Sequence, residues 1–308
     1  MKLVSYLKDG RGCIGAVVGD VVVDLNEAMV LLGNGSDSPG VLARDMVHLI
    51  EQGDNGLQLA QEVMHAYRRM AELEAEAVRA LAYPLSEIQY LPPVPRPQKI
   101  LAIGANYRAH CEESGMPLPQ KPIVFVKVPS ALIAHGEAIV YPRITQELDY
   151  EGELAVVIGK RARNVSEDEA MAYVVGYTIM NDVTARDLQR TEGQWSRAKG
   201  CDTFAPCGPW LVTADEIEDP QSLTIETRVN GELRQHSSTG DMIFPIPALL
   251  AHISEAMTLL PGDIITTGTP AGVGVYRQPK GLLQPGDEVA IRIEGIGELR
   301  NRVVACQS

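Results

Sequence analysis

The chain has 308 residues, of which 27 are basic and 40 are acidic, and its formal net charge is −13. A chain of this length can bury about three quarters of its unfolded surface, so it does not need disulfides for stability. The acidic balance, without any Lys/Arg cluster, argues against nucleic acid as a partner. No apolar run approaches the ~18 residues of a transmembrane helix, so we expect no membrane partner either.

The cysteines and the N-terminal residues indicate in which cellular compartment the protein resides. There are five cysteines, an odd number, and no C-x-x-C pair, which argues against a disulfide framework or a zinc knuckle. Residues 1–7 are followed at once by Lys8, Asp9 and Arg11, and they lack the apolar core and cleavage site of a signal peptide. We therefore expect a cytoplasmic location.

The N-terminal region predicts a small β-meander followed by helices. Apolar residues and intervening turn signals predict strands over residues 2–7, 13–18 and 21–24. Apolar residues at helical spacing then predict helices over 41–52 and 57–81, with core packing as their role.

A proline-rich segment separates this region from the rest of the chain. Residues 91–98 hold four prolines in eight positions, a composition that favours an extended connector. We expect a domain boundary there, with an N-terminal domain over 1–90 and a catalytic domain over 99–308.

The most informative stretch joins acidic residues to a buried strand. Glu151 and Glu153 alternate at period two, which places both carboxylates on one face of a strand, with Cβ atoms roughly 7 Å apart. The following run, 154–158, is continuously apolar, as in a strand covered on both faces. A solvated strand face is the alternative, but buried carboxylates need a partner, and a cation would be one.

A third carboxylate follows another β-type run, residues 174–180, in Asn181-Asp182. Three carboxylates without clustered His or Cys favour Mg²⁺ or Mn²⁺ over Zn²⁺ and leave coordination positions for a chelating 2-oxo acid. His110 and Glu113 stand three apart on a predicted helix and can touch, although an ordinary surface pair would have the same spacing. The glycine-dense run 268–274 lets backbone N–H groups approach an anion, but alone it is a weak motif.

Together these motifs resemble the fumarylacetoacetate hydrolase family over about residues 99–304. The segments that carry the resemblance are 149–154 (DYEGEL), 176–178 (GYT), 181–187 (NDVTARD), 268–270 (GTP) and 272–274 (GVG). The resemblance implies an α+β, mostly β fold, a mixed β-roll of largely antiparallel strands beside a small α/β N-terminal domain, and it implies a homodimer.

The resemblance also assigns roles to residues. It implies that Glu151, Glu153 and Asp182 hold Mg²⁺ or Mn²⁺. His110 and Glu113 match the dyad that activates water, on a segment that closes over substrate.

Further positions match the part of the family's site that contacts substrate. Lys199 matches the active-site lysine, and Gln189 and Thr269 match positions that hold the substrate's carboxylate end. Arg108 is a further substrate-binding candidate; for Arg108 and Lys127, ion pairing at the rim of the site remains an equal alternative.

The implied reaction is metal-dependent hydrolysis of the C–C bond of a 3-acylpyruvate. His110 with Glu113 would deprotonate water, which attacks the C4 carbonyl and releases pyruvate enolate. Decarboxylation of oxaloacetate and isomerisation of a 5-carboxymethyl-2-hydroxymuconate-type diacid remain alternatives, as does a catalytically silent metabolite-binding protein. The first 90 residues resemble those of longer bacterial members grouped with acylpyruvate hydrolases and oxaloacetate decarboxylases.

Overall fold

Strands dominate the computed structural model, which describes residues 1–32, 42–72 and 76–306. The strands are β1 (Lys2–Lys8), β2 (Arg11–Val18), β3 (Val21–Asp24), β4 (Ala82–Pro84), β5 (Gln89–Tyr90), β6 (Ile100–Gly104), β7 (Ile123–Lys127), β8 (Leu132–Ile133), β9 (Ile139–Tyr141), β10 (Leu148–Asp149), β11 (Gly152–Ile158), β12 (Val174–Asn181), β13 (Thr184–Ala185), β14 (Ala205–Thr213), β15 (Thr224–Val229), β16 (Glu232–Ser238), β17 (Ile264–Thr266), β18 (Glu288–Ile293) and β19 (Gly297–Ala305).

Among the described residues, four helices lie in the N-terminal region and five follow it. They are α1 (Leu25–Leu32), α2 (Met46–Glu51), α3 (Asp54–Glu72), α4 (Glu76–Arg79), α5 (Arg108–Ser114), α6 (Glu167–Ala170), α7 (Arg186–Thr191), α8 (Ser196–Lys199) and α9 (Ile246–Ala256). None of the helices within the described ranges is long and apolar enough to cross a membrane.

Two sheets form the framework. The larger runs in the order β4-β3-β2-β1-β14-β12-β11-β17-β6-β7, with β5 beside β1 and β8 beside β14, and the smaller runs β16-β15-β18-β19-β9. Most neighbours are antiparallel, while β6 with β17, β8 with β14 and β9 with β19 are parallel. The smaller sheet packs on β11, β12 and β14 of the larger one. This arrangement confirms the predicted α+β, mostly antiparallel fold.

Strand β11 is the centre of this framework. All seven of its residues are buried, because β12 and β17 pair with its two edges and the smaller sheet covers part of one face. The continuous apolar run 154–158 therefore has the structure that its composition predicts.

The large sheet also joins the N-terminal strands to the rest of the chain. Strand β1 pairs with β14 at Lys2 with Val212 and at Leu3 with Leu211. In the proline-rich segment, Val94 is fully buried and the carbonyl of Pro93 accepts a hydrogen bond from the Ser5 hydroxyl at 2.9 Å. Backbone pairing thus crosses the segment 91–98, and the division into domains 1–90 and 99–308 stays a prediction.

The N-terminal helices differ in detail from the expected ones. Helix α2 begins at Met46 because the Asp45 carboxylate accepts the His48 N–H at 2.9 Å and caps it. The expected helix 41–52 begins at a residue outside the described ranges, and 57–81 contains three such residues, 73–75. Helix α1 was not expected; Asp24 caps it by accepting the Glu27 N–H at 2.9 Å.

We expect Gly176→Ala to destabilise the fold. Gly176 lies in β12, and a Cβ atom there would overlap the carbonyl oxygen of Val212 in β14. Overpacking of this kind lowers the free energy of unfolding by about 1–3 kcal/mol. In the matched control Gly12→Ala the new Cβ comes no closer than 3.7 Å to Leu91. Urea denaturation with equal midpoints for the two variants would contradict this account.

Candidate active site

Three acidic residues converge where β11 begins and β12 ends. Glu151 immediately precedes β11, Glu153 lies within it, and Asp182 immediately follows β12. Because the two strands are antiparallel, with Gly152 opposite Asn181, these ends meet at one edge of the sheet. The Asp182 N–H donates to the Glu151 carbonyl at 2.9 Å, which holds the ends together.

The three carboxylates form a compact buried group. One oxygen from each of Glu151, Glu153 and Asp182 lies within 4.8 Å of the others. The residues are 5%, 1% and 0% exposed, so water solvates them poorly. An all-oxygen group of this kind could hold a divalent cation such as Mg²⁺ or Mn²⁺.

Two buried lysines partly balance this charge. The Lys199 ammonium donates to Glu151 Oε2 and to Asp182 Oδ2, each at 2.7 Å. The Lys127 ammonium donates to Asp182 Oδ1 and to the Lys199 carbonyl, each at 2.5 Å. Lys127 is fully buried, so it lies beneath the carboxylates rather than at the rim of the site.

Arg186 supplies a third buried cation, for which the sequence analysis predicted no role. Its Nη2 lies 2.6 Å from Glu151 Oε1, and its Nε donates to Asp149 Oδ2 at 2.8 Å. Asp149 is itself fully buried and also accepts the N–H groups of Gly274 and Val275. The signal for both residues was present, since each lies in a segment that carries the family resemblance.

The surrounding charges shift the pKa values of these carboxylates in different directions. Burial raises the pKa of Glu151, but Arg186 and Lys199 outweigh burial and hold that pKa at about 2. Burial, together with repulsion from Asp182 and Glu151, raises the pKa of Glu153 well above its usual value. Within the described residues Glu153 receives the Gly268 N–H at 2.8 Å and no ion pair. Glu153 is therefore the carboxylate whose ionised form lacks a balancing cation, and this lack favours its protonated form.

The predicted contact between His110 and Glu113 is confirmed. Helix α5 brings His110 Nδ1 within 2.8 Å of Glu113 Oε1, and Glu113 Oε2 accepts the Gly272 N–H at 2.9 Å. His110 is buried and lines the same cavity as Glu151 and Glu153. Arg108, at the start of α5, is exposed and does not line this cavity.

The glycine-dense loop brings backbone donors to carboxylates of the chain itself. Gly268 contacts Glu153, Gly272 contacts Glu113, and Gly274 contacts Asp149, each through its N–H at 2.7–2.9 Å. Gly268 and Gly272 have φ of +95° and +106°, a conformation that L side chains rarely adopt. The run 268–274 thus approaches anions closely, as its composition predicts.

Several of these groups line a cavity of about 190 Å³. A cavity of this size suits a short organic acid. The lining side chains include most of the predicted site residues together with an aromatic and apolar wall: His110, Met116, Phe125, Glu151, Glu153, Arg186, Gln189, Arg190, Trp195, Lys199, Thr269 and Tyr276.

Two lining residues that the sequence analysis assigned to substrate have different capacities for new bonds. Gln189 Oε1 accepts Arg186 Nη1 at 3.0 Å, which leaves its amide N–H groups for a ligand. The Thr269 hydroxyl donates to the Gly152 carbonyl at 3.0 Å and accepts from Gln235 at 2.8 Å. Thr269 can therefore donate to a substrate through its hydroxyl only if that hydroxyl leaves Gly152.

Comparison with known proteins agrees with the site and the fold. The chain is 42% identical over 308 residues to oxaloacetate tautomerase YisK of Bacillus subtilis, covering 98% of this chain and 100% of the relative. A fumarylacetoacetate hydrolase structure from psychrophilic Exiguobacterium antarcticum matches with a TM-score of 0.80 and 36% identity, over 99% of this chain and 100% of that one.

A second solved structure carries ligands. Maleylpyruvate hydrolase from Sphingobium sp. SYK-6, in complex with manganese(II) and pyruvate, matches with a TM-score of 0.74 and 33% identity, over the whole of both chains. The family model for the fumarylacetoacetate (FAA) hydrolase C-terminal region matches residues 99–304. The chain therefore belongs to the fumarylacetoacetate hydrolase family.

Proposed function

We propose that this protein is a divalent-metal-dependent enzyme that interconverts the keto and enol forms of a short 2-oxo acid, with oxaloacetate as its substrate. The observation that carries the proposal is that a buried acidic triad and a His–Glu pair meet at one small cavity, which Glu151, Glu153 and His110 line. The choice of reaction is supported by YisK, a full-length relative named an oxaloacetate tautomerase.

The donor set fits a metal ion. When ionised, Glu151, Glu153 and Asp182 offer acceptor-only oxygens within 4.8 Å of one another, and a bound cation would favour the ionised form of Glu153. These three residues would hold Mg²⁺ or Mn²⁺, and the bound ion would act as a Lewis acid that stabilises negative charge on the enolate oxygen of the substrate.

The chain's own residues would move the proton. The bond between His110 Nδ1 and Glu113 leaves Nε2 as the ring nitrogen that can accept a proton. In the proposed reaction His110 takes the proton from C3 as the C3–H bond breaks, and the proton returns to the C2 oxygen to form the enol. Glu113, held by the Gly272 N–H, orients the ring and stabilises its protonated form.

Other residues would hold the substrate. Gln189 offers unused amide N–H groups, and Lys199 places a positive charge beside the triad. Burial of the cavity strengthens these contacts, because charges interact more strongly away from water.

Hydrolysis of a 3-acylpyruvate is the second candidate. It is favoured by the His110–Glu113 pair, which could equally deprotonate water, and by the structural match to maleylpyruvate hydrolase. We rank it second because the full-length relative at 42% identity bears the tautomerase name, whereas the hydrolase is 33% identical.

A substrate panel tests the proposed reaction. Purified protein with Mg²⁺ or Mn²⁺ is mixed with oxaloacetate, a 3-acylpyruvate and a hydroxymuconate-type diacid. Loss of enol absorbance without pyruvate release is expected for oxaloacetate. Pyruvate from the acylpyruvate would instead indicate hydrolysis, and pyruvate from oxaloacetate would indicate decarboxylation. Protein that accelerates none of these reactions above the metal-only background would refute an enzymatic role on these substrates.

We expect Lys199→Met to make stability depend more strongly on metal. Without added metal, Lys199 bridges two buried carboxylates, so its loss should lower the free energy of unfolding by about 3–5 kcal/mol. A divalent cation should restore more stability here than in the wild-type protein. Melting temperatures in EDTA and in excess Mn²⁺ measure both effects.

Two variants serve as controls for the metal assignment. Glu153→Gln can still accept the Gly268 N–H, so it should fold but lose most of the Mn²⁺ stabilisation. Lys160→Met removes a half-exposed lysine that pairs with Asp54, and it should behave like the wild-type protein. An unchanged Mn²⁺ shift in Glu153→Gln would remove Glu153 from the ligand set.

We expect His110→Gln to lower turnover of the preferred substrate by ~10²-fold or more, because the general base is lost. Metal binding should persist, since His110 lies outside the acidic triad. His65→Gln, at an exposed position on α3, is the matched control. Steady-state kinetics beside the Mn²⁺-induced melting shift separate the two effects, and a His110→Gln variant with wild-type turnover would exclude the proposed base.

A further inference from the structure

Arg190 is a cavity-lining cation without a predicted role. Arg186, Gln189 and Arg190 lie at positions i, i+3 and i+4 of α7, so they share one face of the helix, and all three line the 190 Å³ cavity. Arg186 is buried against Glu151, whereas the Arg190 side chain is 55% exposed. Arg190 therefore lies on the solvent side of the cavity, at its mouth.

Arg190 shares its carboxylate partner with a second cation. Arg190 Nη2 lies 2.5 Å from Glu147 Oε2, and the Lys280 ammonium lies 3.0 Å from Glu147 Oε1. Two cations thus share one carboxylate. The contact with Glu147 uses one end of the guanidinium, which carries five N–H donors in a fork that suits a second carboxylate.

The other two cations that line the cavity already pair with buried carboxylates of the chain. Lys199 is bonded to Glu151 and Asp182, and Arg186 is bonded to Asp149 and Glu151. A substrate whose 2-oxo acid end docks at the triad would present its far end toward the mouth. Arg190 is the lining cation that can meet a negative charge there.

We propose that Arg190 binds the distal carboxylate of a dicarboxylic 2-oxo acid and so gives the site its preference for diacids over monoacids. The inference rests on the proposed function, because it takes the 2-oxo acid end to dock at the carboxylate triad. An oxaloacetate-sized diacid has its second carboxylate close to the first, which suits the small cavity.

The test compares a diacid with a monoacid. With the Mn²⁺-loaded protein, proton exchange at C3 in deuterated solvent is followed by NMR for oxaloacetate and for 2-oxobutanoate, which carries a methyl group in place of the distal carboxylate. Arg190→Gln should lower kcat/KM for oxaloacetate about tenfold, mainly through KM, because a half-exposed charge-assisted bond is lost. The value for 2-oxobutanoate should not change.

Two further variants sharpen the result. Arg190→Lys keeps the charge but loses the fork, so it should recover part of the preference. Lys280→Gln removes the other cation on Glu147 but does not line the cavity, and it should leave both substrates unaffected. A parallel fall for both substrates in Arg190→Gln, or a Lys280→Gln effect of the same size, would overturn the assignment.

A binding measurement separates this inference from the proposed reaction. If wild-type protein turns over neither acid, the melting shifts that each acid induces in the Mn²⁺-loaded protein still report recognition. A larger shift with oxaloacetate that Arg190→Gln removes would support the role of Arg190 while the tautomerase proposal fails. Equal shifts with both acids in the wild-type protein would overturn the role of Arg190.

Discussion

Mutual repulsion among Glu151, Glu153 and Asp182 is the constraint on which the rest of the site depends. Three carboxylates within 4.8 Å and with almost no access to water cannot all remain charged without compensation. Lys199, Lys127 and Arg186 surround two of them, and Glu153 keeps a strongly raised pKa. The protein thus supplies most of the compensating charge, and the divalent cation of the proposed function would supply the rest.

Backbone N–H groups also bind the carboxylates of the site. One loop, residues 268–274, donates N–H groups to Glu153 of the triad and to Glu113 of the His–Glu pair. It also donates to Asp149, the carboxylate that pairs with Arg186. Fixed backbone dipoles cannot leave or change protonation, and they keep their orientation when a substrate arrives. The relative positions of the acidic triad and the His110–Glu113 pair therefore depend on the conformation of a single loop, which two glycines with positive φ make possible.

What the sequence could predict was local. Period-two acidic residues ahead of an apolar run, a carboxylate after a second buried strand and an i, i+3 His–Glu pair were each visible within a few positions, and the structure brings them together. Strand pairing between residues 2–3 and 211–212 joins segments that are distant in the chain, so no local pattern signals it. The contact of Arg190 with Glu147 was missed for a related reason: an arginine on a short helix, outside the segments that carry the family resemblance, has no distinguishing pattern until its partner is placed beside it.

The pairing of β1 with β14 covers a strand edge of the large sheet. Without β1, the segment of β14 around Leu211 and Val212 would form an edge of the large sheet, with unpaired N–H and C=O groups and apolar side chains. Exposed edges of this kind add strands from other molecules. The N-terminal meander thus covers this edge of the sheet that carries the carboxylates. The outermost strand on this side is β4, which has only three residues and ends in Pro84, so it offers few backbone N–H groups for pairing with another strand.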